Sequence, residues 1–217
     1  MQPKTCCNSK HRKMTRKTEN MNRKDIPATP EENSRRMELV RAAARLFRDQ
    51  GYERTTVRDL GNAVGLQSGS LFYHFRTKEE ILVAVMALGI TATTEQLASA
   101  LAAAADTRSK LAALFHVHLH SLLGDNQAAL EVMLYEWRSV SPAAKPGLIV
   151  LRDRYEALWQ QVLDQAASEG LVKNDTRLLR RTLLGSLHWT VQWYRNDGEL
   201  SVAQLADRML ALVLRGE

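Results

Sequence analysis

Between Arg58 and Lys78 the chain gathers side chains suited to contact with nucleic acid. Ser68, Gly69 and Ser70 are small enough to let a backbone approach DNA closely, and Tyr73 and His74 carry donors for phosphates or base edges. Arg58 offers a guanidinium fork that reaches a guanine edge or a phosphate. Lys78 falls in the first turn of a predicted helix, where the macrodipole disfavours a cation. A nearby phosphate, held by the same helix N-terminus, would reverse that balance. Leu71, Phe72 and Phe75 are expected to form the packing face of this run. Taken singly, each polar residue here reads equally well as a solvated surface side chain.

A second set of residues suggests a small-molecule site. His116 and His120 stand four apart on one helical face, as metal ligands can, with His118 pointing elsewhere. No carboxylate or cysteine accompanies them at metal spacing, so they read as buried hydrogen-bonded histidines; neither a metal nor a cofactor is expected. Trp137-Arg138, Arg152-Asp153-Arg154-Tyr155 and Trp159 mix aromatic and cationic groups, which suits an apolar ligand with an anionic head. With Trp189, the residues expected at such a site are His116, His120, Trp137, Arg138 and Tyr155. Catalysis lacks its parts: there is no glycine-rich phosphate loop, no nucleophile elbow and no close acid pair, so the chain reads as a non-enzyme.

The elements that must hold these residues are all helical. Thr29-Pro30-Glu31-Glu32 opens a first helix whose apolar face carries Leu39, Val40, Ala43, Leu46 and Phe47, and Gly51 ends it. Thr56 with Asp59 starts a short second helix that stops at Gly65. A very short third helix lies within Gln67 to His74, and Thr77-Lys78-Glu79-Glu80 begins a long apolar fourth. Further helices are predicted near 107–123, 127–140, 144–169, 175–195 and 201–215, separated by Gly124, Ser141-Pro142, Gly170 and Gly198. The second helix, the tight turn at Gly65-Leu66 and the short third helix are the ingredients of a helix-turn-helix. The predicted organisation is an arm over 1–29, a DNA-binding domain over 30–80 and a helical ligand-binding and dimerisation domain over 81–217.

Charge sharpens this division. The net charge is +6, and residues 1 to 30 hold eight basic side chains against Glu19 and Asp25, so the remainder is balanced. Basicity therefore speaks for the arm alone, which is too poor in apolar residues to fold; it supplies phosphate attraction or reflects an over-long start, since Met14, Met21 and Met37 follow. Cys6 and Cys7 are adjacent and form neither a disulfide framework nor a zinc site. No run of about 20 uninterrupted apolar residues and no apolar leader is present, so a cytoplasmic protein with no membrane partner is expected.

Ala44-Arg45-Leu46-Phe47, Gly51-Tyr52, Thr55-Thr56-Val57-Arg58-Asp59-Leu60, Gly65-Leu66 and the run from Ser70 to Leu82 resemble the tetracycline-repressor family. The resemblance covers about a quarter of the chain. It implies a homodimer whose recognition helices read a palindromic operator, with DNA affinity falling when a small-molecule effector binds. It places DNA contacts on Arg58, Ser68, Gly69, Ser70, Tyr73, His74 and Lys78. Gln67 replaces the usual capping serine, Gly61 an alanine and Phe72 a tyrosine, so Ser68 is expected to cap the third helix instead. The last two helices are apolar around much of their circumference and need partners on two sides. The resemblance implies a four-helix dimer interface there, with Leu184, Leu187, Val191, Leu205 and Met209 as candidates; a tight monomer core is the alternative. The Gly185-Ser186-Leu187-His188-Trp189 helix is similar to a branch that controls fatty-acid or steroid breakdown and binds acyl-CoA thioesters. A lipophilic inducer of an efflux pump, or no inducer at all, remains compatible.

Overall fold

The computed structural model describes residues 30–124 and 127–215; the expected arm over 1–29, with its cysteines, lies outside the described residues. Among these residues all regular structure is helical. The helices are α1 (Pro30–Gln50), α2 (Val57–Ala63), α3 (Ser68–His74), α4 (Lys78–Ala103), α5 (Thr107–Leu123), α6 (Ala128–Glu136), α7 (Lys145–Ser168), α8 (Thr176–Trp193) and α9 (Val202–Ala211), with a 3₁₀ turn at Trp137–Ser139.

Capping chemistry sets most starts. At α2 the Thr56 hydroxyl accepts from the Asp59 amide while the Asp59 carboxylate accepts from the Thr56 amide, and Ser201 with Gln204 repeats this at α9. Thr77 accepts from the Glu80 amide at α4, but the Glu80 carboxylate reaches one residue further back, to the Arg76 amide at 2.7 Å. Asp106 and Asp175 cap α5 and α8. The turn between α2 and α3 depends on Gly65, whose φ of +68° suits a residue without Cβ. It lets the Leu66 amide reach back to the Gly61 carbonyl at 2.9 Å. At α3 the expected serine cap does not form: Gln67 holds the cap position, and its side chain makes no capping bond.

Two apolar cores run along the molecule. The first joins α1 to α4 through Leu39, Phe47, Leu60, Leu71 and Met86, and it also takes in Ala128, Ala129 and Val132 of α6 and Leu148 of α7. The second is built around α5, with Phe115 and Leu119 packed against Trp159 of α7, Leu187 of α8 and Leu205 of α9. α4 belongs to both, supplying Ile81 and Val85 to the first and Leu97 to the second. It is long and apolar enough to cross a membrane by length and composition, but it is packed inside the bundle against α1, α5, α6 and α7. α4 and α6 approach so closely that a Cβ at Gly89 would meet the Ala129 Cβ at 3.1 Å.

The structure reverses the expected faces of the last two helices. Leu187, Leu205 and Leu184 point into the protomer's own core, Leu187 being fully buried. Val191 and Met209 are partly buried against the same core. The opposite face of α8 exposes Leu178, Trp189 and Trp193, and Leu212 just beyond α9 is 86% exposed. α8 therefore satisfies one side within the protomer and leaves an aromatic stripe outside. Leu184, Leu187 and Leu205, expected at a dimer interface, belong to the protomer's own core, and because both faces of α8 carry apolar residues the periodicity does not separate them.

Candidate functional sites

At the reading head, α3 buries Leu71 and Phe75 while Gly69, Ser70 and Tyr73 are exposed and His74 is half-buried; Ser68 is the first residue of the helix. Phe72, expected to pack inward, is 50% exposed beside Tyr73. It thus adds an apolar contact surface of the kind that meets a thymine methyl. Gln67, at the helix's leading end, is exposed and joins Arg58, Asn62 and Leu66 around an open depression. Tyr73 donates to Glu32 of α1 at 2.5 Å and lies edge-on to His74, while Arg36 of α1 sits 4.4 Å over the Phe75 ring. The recognition helix is therefore braced by the first part of α1.

The Lys78 ammonium, expected as a phosphate clamp, is engaged within the protomer. It donates to the carbonyls of Tyr52, Glu53 and Thr55 at 2.9, 3.3 and 3.1 Å and lies 4.2 Å from the Tyr52 ring centroid. Three donors on three acceptors exhaust the group. It staples the α1–α2 loop to the start of α4, and the unfavourable helix-end position is offset by loop carbonyls instead of a phosphate. Two further bonds join this end of the molecule to the α6 end: the Tyr52 amide donates to Glu136 at 2.9 Å and the Ser141 amide to Glu79 at 2.6 Å. The bonds from Ser141 hold the Glu79 carboxyl below its usual range.

The second site is a small, partly open cavity of about 60 Å³ at the junction of the two cores, walled by Ile90, Thr93, His118, Leu122, Leu130, Met133, Leu134, Arg152, Tyr155, Glu156, Leu184 and His188. Of the six residues expected at a ligand site, Tyr155 alone lines it. His116 instead pairs with Asp207 of α9 at 2.7 Å, and His120 is exposed; their rings stack on the outside of α5. Arg138 and Trp189 are exposed, and Trp137 packs against the first core. His118, set aside in the sequence, is the histidine that faces inward. α5 is apolar on most sides, so periodicity alone could not orient it.

His118 is the polar anchor of this cavity. Its Nδ1 is 2.6 Å from the Tyr155 hydroxyl, its Nε2 has no partner, and its ring lies 5.1 Å from that of His188. Burial, then the proximity of His188, holds the His118 pKa well below the usual histidine range; burial alone brings His188 to about 4. Burial likewise pushes the Tyr155 phenol up. Both imidazoles are thus neutral at physiological pH. In the tautomer whose Nδ1 accepts from the phenol, Nε2 carries the proton as an unmet donor; in the other, Nδ1 donates to the phenol oxygen and Nε2 is an unmet acceptor. Beside it Glu156 pairs with Arg152 at 3.4 Å and with Arg180 at 3.2 Å. The arrangement can accept an apolar group that carries one hydrogen-bonding atom to meet Nε2.

Residues 39–85 match the family described as "Bacterial regulatory proteins, tetR family", and residues 104–217 match "Tetracyclin repressor-like, C-terminal domain". The HTH-type transcriptional repressor KstR2 of Mycobacterium tuberculosis is 30% identical over 189 residues, spanning 85% of this chain and 93% of that protein. The superantigen PfiT structure is 43% identical, covers 88% of this chain and 100% of its own, and superposes with a TM-score of 0.77. AibR, solved with isovaleryl coenzyme A and operator DNA, shares the fold at 24% identity and a TM-score of 0.76, over 82% of this chain and 97% of its own. The exposed reading helix, the buried cavity behind it and these matches along nearly the whole described chain agree: the protein is a member of the tetracycline-repressor family of transcriptional regulators.

Proposed function

We propose that the protein is a ligand-responsive repressor of the cytoplasm that holds a palindromic operator as a homodimer and lets it go when an acyl thioester enters the cavity. The observation that carries this reading is the His118 Nε2, wholly buried and unmet among apolar walls; in the tautomer that makes it a donor it suits the thioester carbonyl of a ligand whose remaining tail is apolar. AibR, solved with isovaleryl coenzyme A, supports the thioester class, and KstR2, named a ketosteroid transcriptional regulator, supports a largely apolar effector. At about 60 Å³ the cavity is far smaller than a typical ligand site of about 300 Å³ or more, so a ligand widens it, and α6, whose Leu130, Met133 and Leu134 form one wall against α4, is the element that yields. α6 also packs on α1, and movement there reaches the reading head.

In the dimer the exposed stripe of Leu178, Trp189 and Trp193 meets its counterpart, and a palindromic operator calls for two copies of α3 about one turn of DNA, roughly 34 Å, apart. On α3 and its approaches the DNA contacts are Arg58, Ser68, Gly69, Ser70, Tyr73 and His74, with Gln67 and Phe72 added. The test is a gel shift on the DNA upstream of the protein's own gene, repeated with acyl-CoA thioesters, free fatty acids and efflux substrates. Release by a thioester supports the reading, as does its weakening in His118→Phe. Release by efflux substrates alone overturns the ligand class, and absence of specific DNA binding overturns the operator.

A further inference from the structure

Beside the cavity, and sharing Thr93 and Leu130 with it, lies a larger open groove of about 610 Å³ bounded by α1, α4, α5 and α6. Its α1 wall presents Arg41, Arg45 and Arg48, spaced four and three apart on one face. Arg48 is matched by Asp49 at 2.8 Å. Arg41 and Arg45 are exposed and have no ion pair among the described residues. Like charges four apart destabilise a helix unless an anion joins them.

These arginines lie beyond the contacts of the reading head. The recognition helix and its C-cap Phe75 touch α1 at Glu32 and Arg36, and Arg41 and Arg45 stand five and nine residues beyond Arg36, about 8 and 14 Å at the rise of an α-helix. A carboxylate alone would not fill the groove or neutralise its wall, whereas a phosphorylated carrier of nucleotide size would do both. We infer that the groove is a phosphate clamp for the head of the effector: the acyl end occupies the cavity beside His118, the chain passes between Thr93 and Leu130, and the phosphates of the carrier lie on Arg41 and Arg45. This rests on the acyl-thioester reading above and adds the place and chemistry of the head. It also makes α1 a ligand-binding element, so the effector grips the DNA-binding unit directly.

The experiment compares acyl-CoA thioesters with the matching acyl-N-acetylcysteamine thioesters, which keep the acyl end and lack every phosphate. Operator release is read by fluorescence anisotropy, and binding of free coenzyme A by calorimetry. In the wild-type protein the coenzyme A form should act at a concentration at least about tenfold lower than the truncated form. Arg41→Ala/Arg45→Ala should remove that advantage and the binding of free coenzyme A, while leaving the truncated thioester, unliganded operator affinity and melting temperature unchanged. Equal potency of the two thioesters in the wild type, or an undiminished advantage in the double variant, overturns the clamp and leaves the acyl reading standing. If neither thioester releases operator, the acyl reading fails; binding of free coenzyme A that the double variant abolishes would still support the clamp, and its absence would overturn that too.

Discussion

Replacing Lys78 by methionine should destabilise the protein before it affects DNA. The substitution keeps most of the aliphatic stem and removes three hydrogen bonds from an ammonium to the carbonyls of Tyr52, Glu53 and Thr55, of which two are part-buried. A hydrogen bond to a charged group contributes about 1.5–3 kcal/mol, and a partly solvated cation over an aromatic ring about 0.5–1 kcal/mol. Because Lys78 is only half-buried and one bond is long, the three carbonyls can recover some solvation, and the net loss should be about 3 kcal/mol. For a chain of this size that lowers the melting temperature by about 6–12 °C. Thermal and urea unfolding of Lys78→Met check the figure, and operator affinity is measured at a temperature where the variant remains folded. An unchanged melting temperature, together with a salt dependence of DNA binding reduced by about one phosphate contact, would refute the staple and restore Lys78 to the operator.

Acid should weaken the fold through the cavity histidines. Both are held neutral in the folded state, with pKa values below the unfolded value of about 6.5, so folding stability is unaffected above neutrality. As pH falls through 6.5 the unfolded chain takes up protons that the folded chain refuses. Each histidine then removes about 1.4 kcal/mol per pH unit, down to about pH 4 for His188. His188→Leu should flatten the slope of urea stability between pH 7 and 5, and a wild-type protein with no slope there would contradict the burial. Trp189→Arg, at a side chain 65% exposed, should leave helicity unchanged and convert dimer to monomer in sedimentation, with loss of operator affinity. A dimer that persists would place the interface elsewhere. Gly89→Ala should destabilise by about 1 kcal/mol, because the 3.1 Å contact with Ala129 outweighs the better helix propensity of alanine. A gain in stability would show that α4 and α6 separate freely.

The helices were legible because their ends carry local chemistry. Thr56 with Asp59, Thr77 with Glu80 and the turn at Gly65 act within a few residues, and the expected boundaries lie within a few residues of the observed ones. The faces were less legible wherever a helix is apolar all round. On α5 the choice between His118 and the pair His116 and His120 depends on which neighbour lies where. Only the packing of Tyr155 against His118 and of Asp207 against His116 decides it. Trp189 misled for a similar reason: an indole usually seeks a core, and this one points away from its own. Lys78 was placed correctly at a helix start, yet its three acceptors come from residues more than twenty positions earlier, beyond the reach of any local rule.

The first core has a practical consequence for anyone building sensors from this scaffold. It is completed by Ala128, Ala129 and Val132 of α6 and by Leu148 of α7, so the hydrophobic interior of the reading head is not whole when carried alone into a chimera. A graft that joins α1–α4 to a foreign effector domain would leave Leu39, Val40 and Phe47 facing side chains chosen for another partner. Swaps should therefore carry the inner face of α6 and the first turns of α7 along with the reading head, leaving the outer walls of the cavity as the exchangeable part.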